Sequence, residues 1–272
     1  MSAATAAEDA HMLGAIAGDV IGSVHEGART KTKEFPLFVP KSTFTDDTVL
    51  TVAVAESLMR PRDYVDSLHD YFHAYPGAGY GGTFYRWCTV KSREPYNSWG
   101  NGSAMRVSAV AYARDTLEEV LAEAKRSAEV THNHEHGIRG AQATAAAIFL
   151  ARTGSSKAQI RQYTEETFDY FLDETLADLR PTYQFDVSCQ GSVPQSILAF
   201  LESNSYEDAV RNAISLGGDA DTMACIAGGI AEAFYGGVPE DIRVQTLERL
   251  DSRLRGLVEE FDERYACRRT KR

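Results

Sequence analysis

Two short stretches concentrate oxygen-bearing side chains. Ser215-Leu-Gly-Gly-Asp-Ala-Asp-Thr222 sets Asp219, Asp221 and Thr222 behind a Gly-Gly pair and ahead of an apolar segment. Phe44-Thr-Asp-Asp-Thr48 sets Asp46 and Asp47 side by side between Thr45 and Thr48, ahead of the apolar run Val49 to Leu58. On a helix only i+3 and i+4 neighbours share a face, so neither acidic pair converges within regular helix. Each pair serves one point only where a bend enters a helix. Gly217 and Gly218 allow such a bend, with a helix starting near Asp221. Asp, Thr and backbone oxygens without Cys or His suit magnesium, manganese or calcium. Four carboxylates balance two dications, the count with which two-metal sites clamp reacting oxygens. Either cluster alone reads more simply as a helix cap, since Asp and Thr favour N-caps and acids favour first turns. Two doubled clusters carry more acid than capping needs.

Other stretches carry weaker signals. Glu26 follows the helix-like, glycine-punctuated segment His11 to Gly22 and precedes Gly27; it is either an acid/base or a surface glutamate. Tyr96-Asn-Ser-Trp-Gly-Asn-Gly-Ser103 runs into the helix-like segment Ala104 to Ala113. Amides at a helix start beside glycines make an anion site, and Tyr96 and Trp99 offer stacking faces. The alternative is an ordinary cap with two half-buried aromatics. Gly77-Ala-Gly-Tyr-Gly-Gly82 matches G-x-G-x-x-G, but a helix-like segment, Tyr64 to Tyr75, stands where a dinucleotide fold needs a strand. It is read as a mobile loop. Thr131-His-Asn-His-Glu-His136 alternates three histidines, a weak zinc signal without a partner cluster.

These candidates need rigid elements behind them. Val49 to Leu58 is apolar on nearly every side, which marks a buried helix able to hold Asp46 and Asp47. Further helical patterns cover Gly140 to Leu150, Lys157 to Leu179, Gln195 to Glu202, Tyr206 to Leu216, Cys225 to Tyr235 and Pro239 to Leu257. Gly228-Gly229 inside one of them points to close helix contact. Convincing period-2 strands are absent, so the fold class is all-α. The 272 residues, 43% hydrophobic and without a linker, predict one domain over 11–266, with a loose start at 1–10 and a basic tail at 267–272. A net charge of −11 argues against a general nucleic-acid binder. Cys88, Cys189, Cys225 and Cys267 are scattered and indicate neither a zinc knuckle nor a disulfide framework. No leader-like segment and no run of about 18 apolar residues is present, which predicts a soluble, cytoplasmic protein.

Several blocks together resemble the ADP-ribosylglycohydrolases, the family of dinitrogenase-reductase-activating glycohydrolase and the ADP-ribosyl-arginine and ADP-ribosyl-serine hydrolases. They are Gly14 to Gly22, Phe44 to Thr48, Gly100-Asn-Gly-Ser-Ala-Met-Arg106, Thr131-His132 and Leu216 to Thr222 with its Ala-Gly-Gly continuation, in the family's order. The resemblance implies an all-α, single-domain orthogonal helical bundle with two Mg2+, or Mn2+ in some members. By the resemblance, Thr45, Asp46, Asp47, Asp219, Asp221 and Thr222 are the metal ligands. Ser98, Gly100, Asn101, Gly102 and His132 hold ADP-ribose, and Tyr96 and Trp99 look like the rings that sandwich adenine. Glu26 matches the flap glutamate of the serine-specific subgroup; with Asp47 and Asp219 it forms the expected catalytic set. The implied substrate is an ADP-ribosylated protein or small molecule, with ADP-ribose as product; a monomer is the expected form. Two other readings remain: a non-catalytic ADP-ribose reader or structural protein, and a two-metal phosphoesterase that would release AMP.

Overall fold

In the computed structural model, which describes residues 12–265, helices follow one another with no β-strand among the described residues, apart from one antiparallel bridge between Gly100 and Ser188. The expected loose start at 1–10 and basic tail at 267–272 lie outside the described residues. In chain order the helices are α1 (Leu13–Gly22), α2 (Asp46–Met59), α3 (Tyr64–Ala74), α4 (Gly82–Thr89), α5 (Gly102–Met105), α6 (Val110–Ala113), α7 (Leu117–Glu129) and α8 (Glu135–Arg152). They continue with α9 (Lys157–Phe168), α10 (Leu176–Leu179), α11 (Cys189–Leu201), α12 (Tyr206–Ile214), α13 (Ala220–Tyr235), α14 (Glu240–Leu247) and α15 (Ser252–Tyr265). The expected all-α single domain is what forms. None of these helices is long and apolar enough to cross a membrane.

α1 and α13 are the spine, packed backbone against backbone. A methyl group added at Gly18 would lie 2.1 Å from the Ala224 carbonyl oxygen, and one at Gly228 would lie 2.3 Å from the Gly14 carbonyl oxygen. Only glycine admits such an approach. The Gly14 amide donates to Glu232 Oε2 at 2.8 Å, and the Tyr206 hydroxyl donates to the Gly14 carbonyl at 2.7 Å. This contact carries Asp19 of α1 to the level at which α13 begins. α2 is buried on nearly all sides, as its all-round apolar pattern requires, with Val49, Leu50, Val52 and Val54 no more than 1% exposed.

Three segments break where the sequence pattern runs on. Ala104 to Ala113 is divided between α5 and α6. Arg106 turns fully inward there, and the Met105 carbonyl accepts from Thr51 Oγ1 and Cys225 Sγ instead of the next helical amide. Pro239 to Leu257 is divided between α14 and α15, because Asp251 Oδ1 accepts the Arg253 and Leu254 amides and starts a new helix. The Lys157 to Leu179 pattern likewise stops at Phe168, where Asp169 takes φ 58, and resumes for one turn as α10. α4 has no counterpart among the expected helices; it follows directly on the Gly77 to Gly82 loop.

Candidate functional site

The two acidic clusters meet. Asp46 and Asp47 form the first turn of α2, and Asp221 and Thr222 the first turn of α13. All four line a cavity of ≈ 360 Å³, together with Glu26, Thr45 and Asp219. Asp219 stands outside the helix as its N-cap residue, with φ −73 and ψ 83, which is how residues two apart reach one point. The bend ahead of it uses Gly217 at φ 68.

Capping accounts for only one of these acids, Asp221, whose Oδ1 accepts the Thr222 amide at 2.9 Å. Thr45 caps α2, its Oγ1 accepting the Asp47 amide at 3.3 Å, so neither aspartate is needed for that purpose. Asp219 occupies the cap position of α13 yet makes no side-chain cap bond. Its Oδ2 instead accepts from Asn101 Nδ2 at 2.8 Å. Asp47 Oδ2 accepts from Thr222 Oγ1 at 3.2 Å, joining the two helix starts, while its buried Oδ1 has no partner. The carboxyls of Asp219 and Asp221 lie within hydrogen-bonding reach of each other.

Glu26 joins them from a separate segment. One oxygen each of Glu26, Asp219 and Asp221 lies within 4.8 Å of the others. Glu26 is exposed, as the surface reading has it, but the strap that follows it is fastened across the Gly217 bend. Lys31 Nζ donates to the carbonyls of Tyr183 and Leu216 at 2.6 and 2.5 Å. The approach is close: a methyl group at Gly217 would lie 2.9 Å from the Thr30 carbonyl oxygen.

The field at the cluster is built from carboxylates. Burial, then Asp19, raises Asp46 to about 8. Burial, then Asp221, Asp19, Asp46 and Asp219, raises Asp47 well above the ordinary carboxylate range. Asp221 is raised by burial and then by Asp219, and Glu26 by burial and then by Asp219. A divalent cation offsets such crowded buried charge. The hard oxygen donor set, the unpartnered Asp47 Oδ1 and the convergence of Glu26, Asp219 and Asp221 all fit one.

One residue was named in the sequence only as part of a motif. Asp19, fully buried on α1, accepts the Thr45 and Thr48 amides at 2.9 and 3.1 Å and the Thr45 hydroxyl at 2.7 Å. It also accepts the Thr48 hydroxyl. Asp19 thereby sets the direction in which α2 leaves the cluster. Asp19→Ala leaves buried donors without an acceptor, which costs about 1–3 kcal/mol of stability for a single such group. Thermal denaturation is expected to show that loss, and an unchanged midpoint would remove Asp19 from this role.

The opposite wall is the Ser98 to Gly102 loop. Tyr96, Ser98, Gly100, Asn101, Gly102 and His132 all line the cavity. α5 is a single turn, so its dipole is much smaller than a full helix would supply. Two of its leading amides are engaged, Gly100 N with Ser98 Oγ at 3.1 Å and Asn101 N with the Val187 carbonyl at 2.8 Å. The expected aromatic pair is divided. Tyr96 faces the cavity, its ring 5.9 Å from that of His132. Trp99 is not part of the lining, is 54% exposed, and sits edge-on to His134 at 5.5 Å. The bridge to Ser188 and the Cys189 N to Trp99 O bond hold that loop, and Asn97 turns at φ 55 before it. Of the three histidines, His132 enters the site and His134 caps α8 through the His136 amide. The Gly77 to Gly82 loop adds Gly79, Gly81 and Gly82 to the lining, and the Asp46 amide donates to the Ala78 carbonyl at 2.7 Å.

A family model described as ADP-ribosylglycohydrolase matches residues 9–270. ADP-ribosylhydrolase ARH3 of Homo sapiens is 28% identical over 333 aligned residues, covering 88% of this chain and 92% of that protein. The Mus musculus protein of that name is 28% identical over 305 residues, covering 83% and 82%. ADP-ribosylarginine hydrolase Tri1 of Pseudomonas putida (strain GB-1) is 28% identical over 150 residues, covering 52% of this chain and 40% of that protein. A solved structure described as an ADP-ribosylglycohydrolase-related protein complex has the same fold, with a TM-score of 0.70 over 94% of this chain and 98% of that one at 22% identity. The family match runs through both acidic helix starts and nearly the whole chain, and the protein therefore belongs to the ADP-ribosylglycohydrolase family, a family of hydrolases.

Proposed function

We propose that this protein is a divalent-cation-dependent hydrolase of ADP-ribosyl linkages. It cleaves the bond between C1″ of ADP-ribose and a modified serine or arginine side chain and releases ADP-ribose. The observation that carries this reading is the meeting of two acidic helix starts and Glu26 on one cavity wall, opposite the Ser98 to Gly102 loop and His132. Asp46, Asp47, Asp219 and Asp221, with Thr45 and Thr222, would hold two Mg2+ or Mn2+ ions. Cations bound there supply Lewis-acid chemistry, fixing substrate oxygens and lowering the pKa of water.

The chain's own groups do the rest. Ser98, Asn101 and His132 offer hydrogen bonds to the phosphate and ribose oxygens, and Tyr96 offers an aromatic face within the cavity. Held in this way, the ribose has its anomeric carbon in a fixed place, which lowers the entropic part of the barrier. The raised carboxyl of Glu26 suits it to hand a proton to the departing side-chain atom and to accept one from the entering water. Water adds hydroxyl to C1″ and hydrogen to the leaving oxygen or nitrogen, so the products are ADP-ribose and the unmodified side chain.

The test is product analysis by mass spectrometry. Proteins ADP-ribosylated separately on serine and on arginine are incubated with the enzyme and Mg2+, beside an Asp46→Ala variant. Free ADP-ribose from one substrate, lost in the variant, establishes the activity and names the linkage. AMP as the product replaces this reading with a phosphoesterase, and ADP-ribose binding without turnover of either replaces it with a reader.

A further inference from the structure

His132 is joined to a buried cation through one hydroxyl. The Arg106 side chain is fully buried, and a guanidinium can only donate. Its Nη2 donates to the Ser127 carbonyl and to Thr131 Oγ1, each at 2.8 Å. Thr131 Oγ1 lies 2.8 Å from His132 Nδ1. A threonine hydroxyl has one proton and two lone pairs. With the guanidinium on one lone pair, the proton is free to point at Nδ1.

We propose that Arg106 and Thr131 lock His132 as the Nε2–H tautomer, making it a neutral hydrogen-bond donor into the cavity. A neutral imidazole whose Nδ1 accepts carries its proton on Nε2. That atom faces the ligand wall: it lies 3.2 Å from where a methyl group on Gly102 would sit and 3.7 Å from the same position on Gly100. Burial first, and then the Arg106 charge, hold His132 well below its ordinary pKa, so the ring stays neutral. A group kept in one protonation state transfers no proton. His132 therefore donates to a ligand oxygen, such as a phosphate oxygen, and Thr131 and Arg106 are positioning residues. The identity of that oxygen rests on the function proposed above; the tautomer does not.

The experiment is nitrogen-15 NMR of the ligand-free chain through long-range imidazole correlations, from about pH 5 to pH 8, the range in which free histidine titrates. His132→Gln identifies the signals. The expected result is a pyridine-like Nδ1 and a pyrrole-like Nε2 across the range, in the wild type and in Thr131→Ser. Thr131→Val is expected to lose that state and to weaken ADP-ribose binding about tenfold, the scale of one hydrogen bond. A protonated Nδ1 in the wild type overturns the proposal without any variant. So does a Thr131→Val chain whose tautomer is unchanged, or one whose tautomer changes while ADP-ribose affinity does not. Failure of the hydrolase assay leaves the tautomer measurement standing, which separates the two ideas.

Discussion

Replacing Asp219 with alanine is expected to lower turnover of the susceptible ADP-ribosylated protein by about three orders of magnitude while making the cation-free chain more stable. The kinetic loss follows from removing one of the carboxylates that would hold the cations, whose charge stabilisation is worth several kcal/mol, at about 1.4 kcal/mol for each factor of ten. The gain in stability has a separate cause. Burial raises the Asp219 carboxyl, and its neighbour Asp221 is raised by burial and then by Asp219 itself. Deleting it relieves both sites. Little is lost in exchange, because Asp219 makes no cap bond to α13 and its partner Asn101 Nδ2 keeps Ser192 Oγ at 3.2 Å. A single stabilising substitution commonly returns about 0.5–2 kcal/mol. Steady-state kinetics with Mg2+ and thermal melts in chelator read the two effects independently. Retained turnover, or a lower melting midpoint in chelator, contradicts the account of the cluster.

The second large effect is on pH dependence. Without divalent cations the folded chain is expected to lose stability as pH rises from about 6.5 to 8. The carboxyls of Asp46, Asp47, Asp221 and Glu26 are raised in the fold, Asp46 to about 8, whereas an unfolded aspartate titrates near 3.9. Between those values the folded state binds more protons than the unfolded state, so the free energy of unfolding falls with pH. This contribution is fully present below the unfolded value and is lost as pH passes through the folded one. His132 and His25, both lowered by burial, act with the opposite sign. Their unfolded forms take protons as pH falls through about 6.5, so their opposing slope fades over the unit above that pH. Above it the carboxyl cluster dominates. Saturating Mg2+ should flatten or reverse the slope, since a bound cation favours the deprotonated ligands. Melting midpoints against pH, in chelator and in Mg2+, test this. A flat or rising midpoint in chelator over that window would show that the carboxyls do not hold their protons in the fold.

What the sequence determined by itself was local in origin. An all-round apolar helix after Asp46 and Asp47, a glycine bend before Asp219 and Asp221, and a glycine pair that admits a second backbone are all set within a few residues. Their positions follow from helix periodicity and from glycine's conformational freedom. The motif order carried the family, and the site residues expected from it, Trp99 excepted, line one cavity. Tertiary structure decided what depends on partners far along the chain. Asp19 reads in sequence as one polar residue in a small apolar helix, and only the approach of α1 to α2 shows that it organises Thr45 and Thr48. Glu26 looks like a surface glutamate until Lys31 fastens its strap across the Gly217 bend. Ala104 to Ala113 keeps a helical pattern, but a buried Arg106 and side-chain donors from α2 and α13 end the helix after one turn. Trp99 stands outside the cavity, next to Gly100, whose bridge partner Ser188 lies far along the chain. A short-range pattern says what a segment prefers, and long-range hydrogen bonds and close packing choose among those preferences when the chain closes on itself.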